Sequence, residues 1–371
     1  MRIPIQVFLI LVIGLSVSTL AACQPAPRIQ SEGDLTLQIT QIDTSAFPLV
    51  DVYISVLDRA GEPQLINTNK LQLLENGQPV NPQSIRGAGE VGQLTTLLLM
   101  DNSGSMNFAG KMDAARAAAK GFLDQMRPGD QTGIITFNTE VVVVQDITQD
   151  RGSLQAAIDG IRTSGDTAMF DALVEATRIL NPLPGRKAIV VLTDGMDNQS
   201  QATAENVLSG IGFGGLSIST VGFGDPPAEG EEADVYEGID EATLRYIAQN
   251  AGGMYGYADD QAELSSLYDR IRRSLQSEVV TSYVTPLPLR DGVQRALTVE
   301  LADRYSGIGG RSITSFNPGG LVPEVAQPAS WGVFALILAA LVILLCIPLL
   351  VQLISSASAR KKKKVRITLK D

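Results

Sequence analysis

The sequence predicts an α/β protein: a mainly parallel sheet with helices on both faces, inserted in or flanked by an all-β sandwich, plus one C-terminal transmembrane helix. Three observations predict it. Across residues 92–275, short apolar runs alternate with stretches whose apolar residues recur at helical spacing, the order that builds a parallel sheet covered by helices. On either side of that region apolar and polar residues alternate with a period of two, with turn dipeptides between them, as in half-buried strands. Near the end, residues 331–354 run for 24 positions without a charge, long enough for a bilayer core that needs about 20.

Residues 1–23 carry a positive start at Arg2, an apolar stretch from Val7 to Leu20, and Leu20-Ala21-Ala22-Cys23. This is the layout of a secretory signal peptide. Small residues directly before a cysteine resemble the lipobox of bacterial lipoproteins, which implies cleavage before Cys23 and lipid on its sulfur. The polar, proline-bearing segment 24–34 reads as a tether. Residues 35–91 make the first part of the sandwich: Leu35, Leu37 and Ile39 alternate with polar neighbours, as do Val50, Val52, Ile54 and Val56. Asn76-Gly77 follows Leu71–Glu75 as a hairpin turn. The second part, residues 276–316, repeats the pattern at Val279–Thr285, at Leu297, Val299 and Leu301, and at Ser312–Phe316. Neither part has strands enough for a sandwich, whereas together they do. Termini of a compact domain commonly lie close together, so an insertion between the two parts is tolerable.

Within 92–275, strands are predicted at Leu94–Met100, Gly133–Phe137, Val141–Val144, Ala188–Leu192 and Leu216–Val221. Helices are predicted from Met112 to Met126 and at Leu154–Ile161, Phe170–Leu180, Ala204–Ile211, Thr243–Asn250 and Gln261–Leu275. Asp225–Asp240 holds seven acids and no base, and reads as a solvated loop ahead of a specificity loop or a weak Ca²⁺ site. Residues 317–330, with three prolines, form a linker. After the apolar segment 331–354, with Trp331 as an interfacial anchor, the basic tail 355–371 carries Arg360–Lys364 and belongs on the cytoplasmic side. The expected location is therefore a bacterial cell membrane, with the folded body on its external face.

Composition removes several function classes. The 371-residue chain has a net charge of −11, and residues 24–330 hold 21 basic against 39 acidic groups. An acidic body argues against nucleic acid and suits cations or basic partners. The two cysteines, Cys23 and Cys346, lie outside residues 24–330, so no disulfide forms within the body. Histidine is absent. A Ser-His-Asp hydrolase, a Cys-His protease and a His-ligated zinc enzyme are excluded.

The chemistry concentrates at three strand ends. Asp101-Asn102-Ser103-Gly104-Ser105-Met106 follows the apolar run 94–100 and places one carboxylate and two hydroxyls at alternate positions. Ser164-Gly165-Asp166-Thr167 puts a further hydroxyl in a loop before a helix, and a second buried strand ends in Thr193-Asp194-Gly195. Ligands of open α/β sheets bind at the carboxyl ends of central strands. Oxygen donors without thiol or imidazole suit a hard divalent cation.

This triple motif resembles the von Willebrand factor type A domain with a metal-ion-dependent adhesion site, over roughly residues 92–275. The resemblance implies a Rossmann-like, mainly parallel sheet. It assigns hydroxyl donation to Ser103, Ser105 and Thr167, with Asp101 and Asp194 contacting the metal directly or through water. The implied cation is Mg²⁺, or Mn²⁺ or Ca²⁺ in its place, with one position left for an Asp or Glu of a partner protein. Asp197 and Asn198 read as cap or loop residues. The expected function is a membrane-anchored, extracytoplasmic adhesion or assembly module, not an enzyme, held by the C-terminal helix and by lipid on Cys23. Metal-dependent hydrolysis would need a general base, and the motif loops offer neither a histidine nor an unassigned acid. The alternative is a subunit of an ATPase-linked or metal-dependent processing complex at the membrane.

Overall fold

Strands from the two ends of the body pair with one another across the α/β region. The first group is β1 (Arg28–Glu32), β2 (Leu35–Asp43), β3 (Leu49–Asp58), β4 (Leu71–Glu75), β5 (Gln78–Val80) and β6 (Pro82–Arg86). The α/β region supplies β7 (Leu94–Asp101), α1 (Lys111–Asp124), β8 (Gln131–Phe137), β9 (Val141–Thr148), α2 (Arg151–Gly160), α3 (Met169–Leu180) and β10 (Arg186–Thr193). It continues with α4 (Ala204–Ser209), β11 (Ser217–Phe223), α5 (Glu241–Asn250), β12 (Gly252–Ala258) and α6 (Gln261–Gln276). After it come β13 (Val279–Val284), β14 (Arg295–Leu301), β15 (Gly309–Phe316) and the helix α7 (Trp331–Lys364). This computed structural model describes residues 28–32, 35–87, 90–224, 239–301, 309–320 and 331–364. The chain divides into two compact units, Met1–Glu324 and Val325–Asp371.

Two antiparallel sheets, ordered β1-β15-β14-β4-β5 and β2-β3-β13-β6, each take strands from both sides of the α/β region. They share a core in which Leu37, Val52, Ile54 and Val56 of one sheet meet Leu73, Leu297 and Val299 of the other. The β4–β5 hairpin turns through Asn76 and Gly77, both with positive φ (50° and 77°), the conformation that Asn-Gly adopts most readily. Residues 28–32, expected in the tether, form the edge strand β1 on β15. Such a strand is held by backbone hydrogen bonds and needs no apolar alternation to declare itself.

The third sheet has the order β12-β11-β10-β7-β8-β9 and is parallel except for β9. All eight residues of β7 are buried, because helices cover both of its faces. Leu94, Leu98 and Met100 pack with α1, α2 and α6, while Leu97 and Leu99 pack with α3, α4 and α5. Strand β12 has no counterpart among the strands predicted, since glycine is depleted in strands. Here glycine is required: a Cβ on Gly253 would lie 2.0 Å from the Ile218 carbonyl oxygen.

A buried joint fixes this sheet to the sandwich. Arg186, at the start of β10, donates from Nη2 to Glu278 Oε1 at 2.7 Å just before β13, and both side chains are inaccessible to water. Gln41 of β2 accepts from Arg186 Nη1 at 2.8 Å and donates to the carbonyls of Gly185 and Gly214. The face of the sheet that carries the motif loops therefore stands on a rigid base.

The terminal helix overturns one expectation. Among the described residues no helix is long and apolar enough to cross a membrane. Helix α7 runs from Trp331 to Lys364. The predicted transmembrane helix over 331–354 is therefore not supported. Nor is the location built on it, with an external body and a cytoplasmic tail. The signal peptide and lipobox with Cys23, and residues 225–238 of the acidic segment, lie outside the described residues.

The buried joint carries a prediction. Arg186→Met leaves Glu278 charged and unpaired, and should lower unfolding free energy in urea by about 3–5 kcal/mol. The double change Arg186→Met with Glu278→Leu should recover much of the loss. A single variant as stable as the original chain would show that the ion pair does not hold the sheet to the sandwich.

Candidate metal centre

Between β7 and β10 the chain leaves the sheet in opposite directions, and the crevice at their carboxyl ends is the switch point where α/β sheets bind ligands. Asp101, the last residue of β7, is fully buried there. Its Oδ1 accepts from Ser103 N at 2.8 Å and its Oδ2 accepts from Thr193 Oγ1 at 2.6 Å. Parallel register places Leu192 beside Met100, so the neighbouring strand delivers Thr193 next to Asp101.

The chain then turns through a 3₁₀ segment, Gly104–Asn107, pinned by the buried Met106. This turn brings Ser103 Oγ and Ser105 Oγ within 3.0 Å of each other. Ser105 Oγ donates to Asp194 Oδ1 at 2.7 Å. Asp194 stands one residue beyond β10, with its side chain buried. The second loop is tied in by its backbone: Gly104 N donates to Gly165 O at 2.9 Å, and Ser164 N donates to Asn102 O at 2.8 Å. Gly165 has φ +75°, and a Cβ there would meet Thr139 Oγ1 at 2.6 Å, so no larger residue fits.

Thr167 is placed by Asn198. Thr167 N donates to Asn198 Oδ1, and Asn198 N returns a bond to Thr167 O, both at 3.0 Å. A methyl group on Gly195 would lie 3.9 Å from Thr167 Oγ1, so the threonine hydroxyl faces the loop that carries Asp194. Asp197 Oδ2 accepts from Phe170 N at 2.8 Å and serves the first turn of α3. Ser103 and Asp194 are thus linked through Ser105. Asp101 holds the Ser103 backbone, and Thr167 arrives on the second loop.

Two participants have no place in the predicted set. Thr193 positions Asp101, yet in a strand it reads as ordinary β propensity. Lys111, the first residue of α1, donates from Nζ to Asp194 Oδ2 at 2.8 Å, with its side chain 21% exposed. A lysine in the first turn of a helix opposes the helix dipole, and that misfit was the available signal.

The charges explain what such a site takes. Burial pushes the Asp101 carboxyl up to about 6; hydrogen bonds from Ser103 and Thr193 oppose the rise, and the nearby Asp194 charge adds to it. Two buried acids so close together call for a compensating cation. The available donors are hydroxyl and carboxylate oxygens, which fit Mg²⁺, Mn²⁺ or Ca²⁺ rather than a soft metal. Among the described residues no cluster of three or more His, Cys, Asp or Glu offers a different kind of centre.

Comparison with known proteins agrees on the domain. Residues 96–196 match the family model of the von Willebrand factor type A domain. A UPF0353 protein of Nocardia farcinica is 25% identical over 279 residues, covering 60% of this chain and 82% of that protein. Among solved structures, a von Willebrand factor type A protein from Catenulispora acidiphila superposes with a TM-score of 0.44 at 16% identity, covering 79% of this chain and 74% of that one. Proximal thread matrix protein 1 of the mussel byssus, solved with a zinc-occupied MIDAS motif, superposes at 0.43 with 19% identity, covering 54% and 49%.

The raised carboxyl sets the pH response. In EDTA the unfolded chain ionises Asp101 near 3.8 and the folded chain near 6, so the stability contributed by this group is fully present below about pH 4 and is lost as pH rises through 6. The loss is on the order of 3 kcal/mol. Urea denaturation should show it in the original chain, and Asp101→Asn should remove that part of the slope. Parallel pH profiles for the two proteins would contradict the assignment.

Proposed function

We propose that this chain, which contains a von Willebrand factor type A domain, is a non-enzymatic protein-binding module for adhesion or assembly, capturing a partner carboxylate at a bound divalent cation. Domains of this type commonly mediate protein–protein interaction and bind a divalent metal at the adhesion motif. The observation that carries the reading is the link from Ser103 through Ser105 to Asp194 at the switch point, with Asp101 buried behind them. Ser103, Ser105 and Thr167 would hold the cation through their hydroxyls, with Asp101 and Asp194 contributing charge directly or through water. When bound, Mg²⁺ supplies the positive charge that attracts an incoming Asp or Glu.

This chain's own residues shape the rest of the surface. Phe108 is 69% exposed and Met196 39% exposed, one on each of two motif loops. Met196 also lines a cavity of about 50 Å³ whose wall includes Met169, Phe170 and Leu244 together with the carboxylates Asp197 and Asp240. The exposed Phe108 and Met196 suit a partner acid flanked by apolar side chains, which would exclude water around the contact. The pairing of β3 with β13 and of β4 with β14 supports reading residues 35–91 and 276–316 as one sandwich that presents the inserted 92–275 domain.

Ser105→Ala and Thr167→Ala should each weaken Mg²⁺ binding at least tenfold, since each removes a neutral donor from a cation that demands near-octahedral coordination. Their circular dichroism should match the original chain. Calorimetric titration of Mg²⁺ checks this, followed by pull-down with and without EDTA. Unchanged Mg²⁺ affinity in both variants would refute the assigned ligand set.

A further inference from the structure

We propose that Lys111 is an internal counter-cation that competes with the divalent ion for Asp194, and so sets the cation concentration at which the site becomes ready for a partner. This rests on the metal-binding reading of the same loops. The Asp194 side chain is inaccessible to water and has both oxygens engaged: Oδ1 accepts from Ser105 and Oδ2 accepts from Lys111 at 2.8 Å. Ser105 is one of the assigned cation ligands, so the ammonium and a cation held by Ser105 draw on one carboxylate. Repulsion between a divalent ion and an ammonium a few ångströms apart is large even at protein-surface dielectric values.

The position of Lys111 shows that the contact is not incidental. The first turn of a helix carries partial positive charge and disfavours a cation, yet Lys111 opens α1. Pairing with Asp194 offsets that cost. Nζ also stands against the end of β11, since a Cβ on Gly224 would come within 3.1 Å of it. The backbone there leaves room for the ammonium because residue 224 is glycine. Four rotatable bonds and partial exposure give the lysine a route to water, whereas Asp194 is fixed at a strand end. Cation entry therefore releases a flexible partner and leaves the rigid one in place.

The test compares the full chain with Lys111→Met and Lys111→Arg by Mg²⁺ calorimetry and by thermal melting in EDTA. Removing the competitor should tighten Mg²⁺ binding about tenfold or more in the Met variant, while the Arg variant stays near the original. In EDTA the Met variant should melt several degrees lower, because Asp194 loses its counter-charge, and Mg²⁺ should raise its melting temperature more than that of the original. Unchanged or weaker Mg²⁺ affinity in the Met variant, with ordinary titration of the original chain, overturns the competition and leaves the metal reading standing. Absence of Mg²⁺ binding in every protein overturns both, and a lower melting point in EDTA would then mark the ion pair as structural.

Discussion

A carboxylate held inside the protein at the end of its central strand is the constraint on which the site depends. Asp101 is buried by the same packing that makes β7 the middle of the sheet, so its charge cannot be relieved by water. Everything around it answers that condition. Thr193 and the Ser103 amide hold its two oxygens, the chain turns so that two serine hydroxyls converge, and Asp194 arrives from the next strand. A second buried acid deepens the need for positive charge, and the protein supplies one of its own in Lys111.

Rigidity comes from elsewhere in the molecule. The Arg186–Glu278 pair and the four hydrogen bonds of Gln41 lock the sheet to the sandwich at the end opposite the site. Arg295 and Glu75 form a second buried pair within the sandwich, joined by Tyr283 and Thr285. Buried pairs of this kind contribute little net stability but fix one arrangement over its alternatives. The proposed cation site would benefit from such a foundation.

Much of this was legible in the sequence where one physical cause acts alone. Strands β7 and β10 are buried on both faces, so unbroken apolar runs disclosed them, and the Asn76-Gly77 turn declared itself by its conformational preference. The candidate donors were assigned through the motif's resemblance to a von Willebrand factor type A domain, and the structure links Ser103, Ser105 and Asp194 by hydrogen bonds. What escaped notice had more than one cause. Strand β12 is rich in glycine because its neighbours leave no space, a tertiary fact absent from local propensity. Lys111 offers only a misfit with the helix dipole in the sequence, because its partner lies 83 residues away. The terminal helix departs from the expectation drawn from a count of uncharged positions: among the described residues no helix is long and apolar enough to cross a membrane.

The most direct test is a crystal of the full chain grown with Mn²⁺ and measured at the manganese absorption edge. The account predicts one strong anomalous peak within ligand distance of the Ser103, Ser105 and Thr167 hydroxyls, with Lys111 Nζ moved off Asp194. A map without a peak at these residues, or with the ion bound elsewhere while the Lys111–Asp194 contact persists, would contradict it.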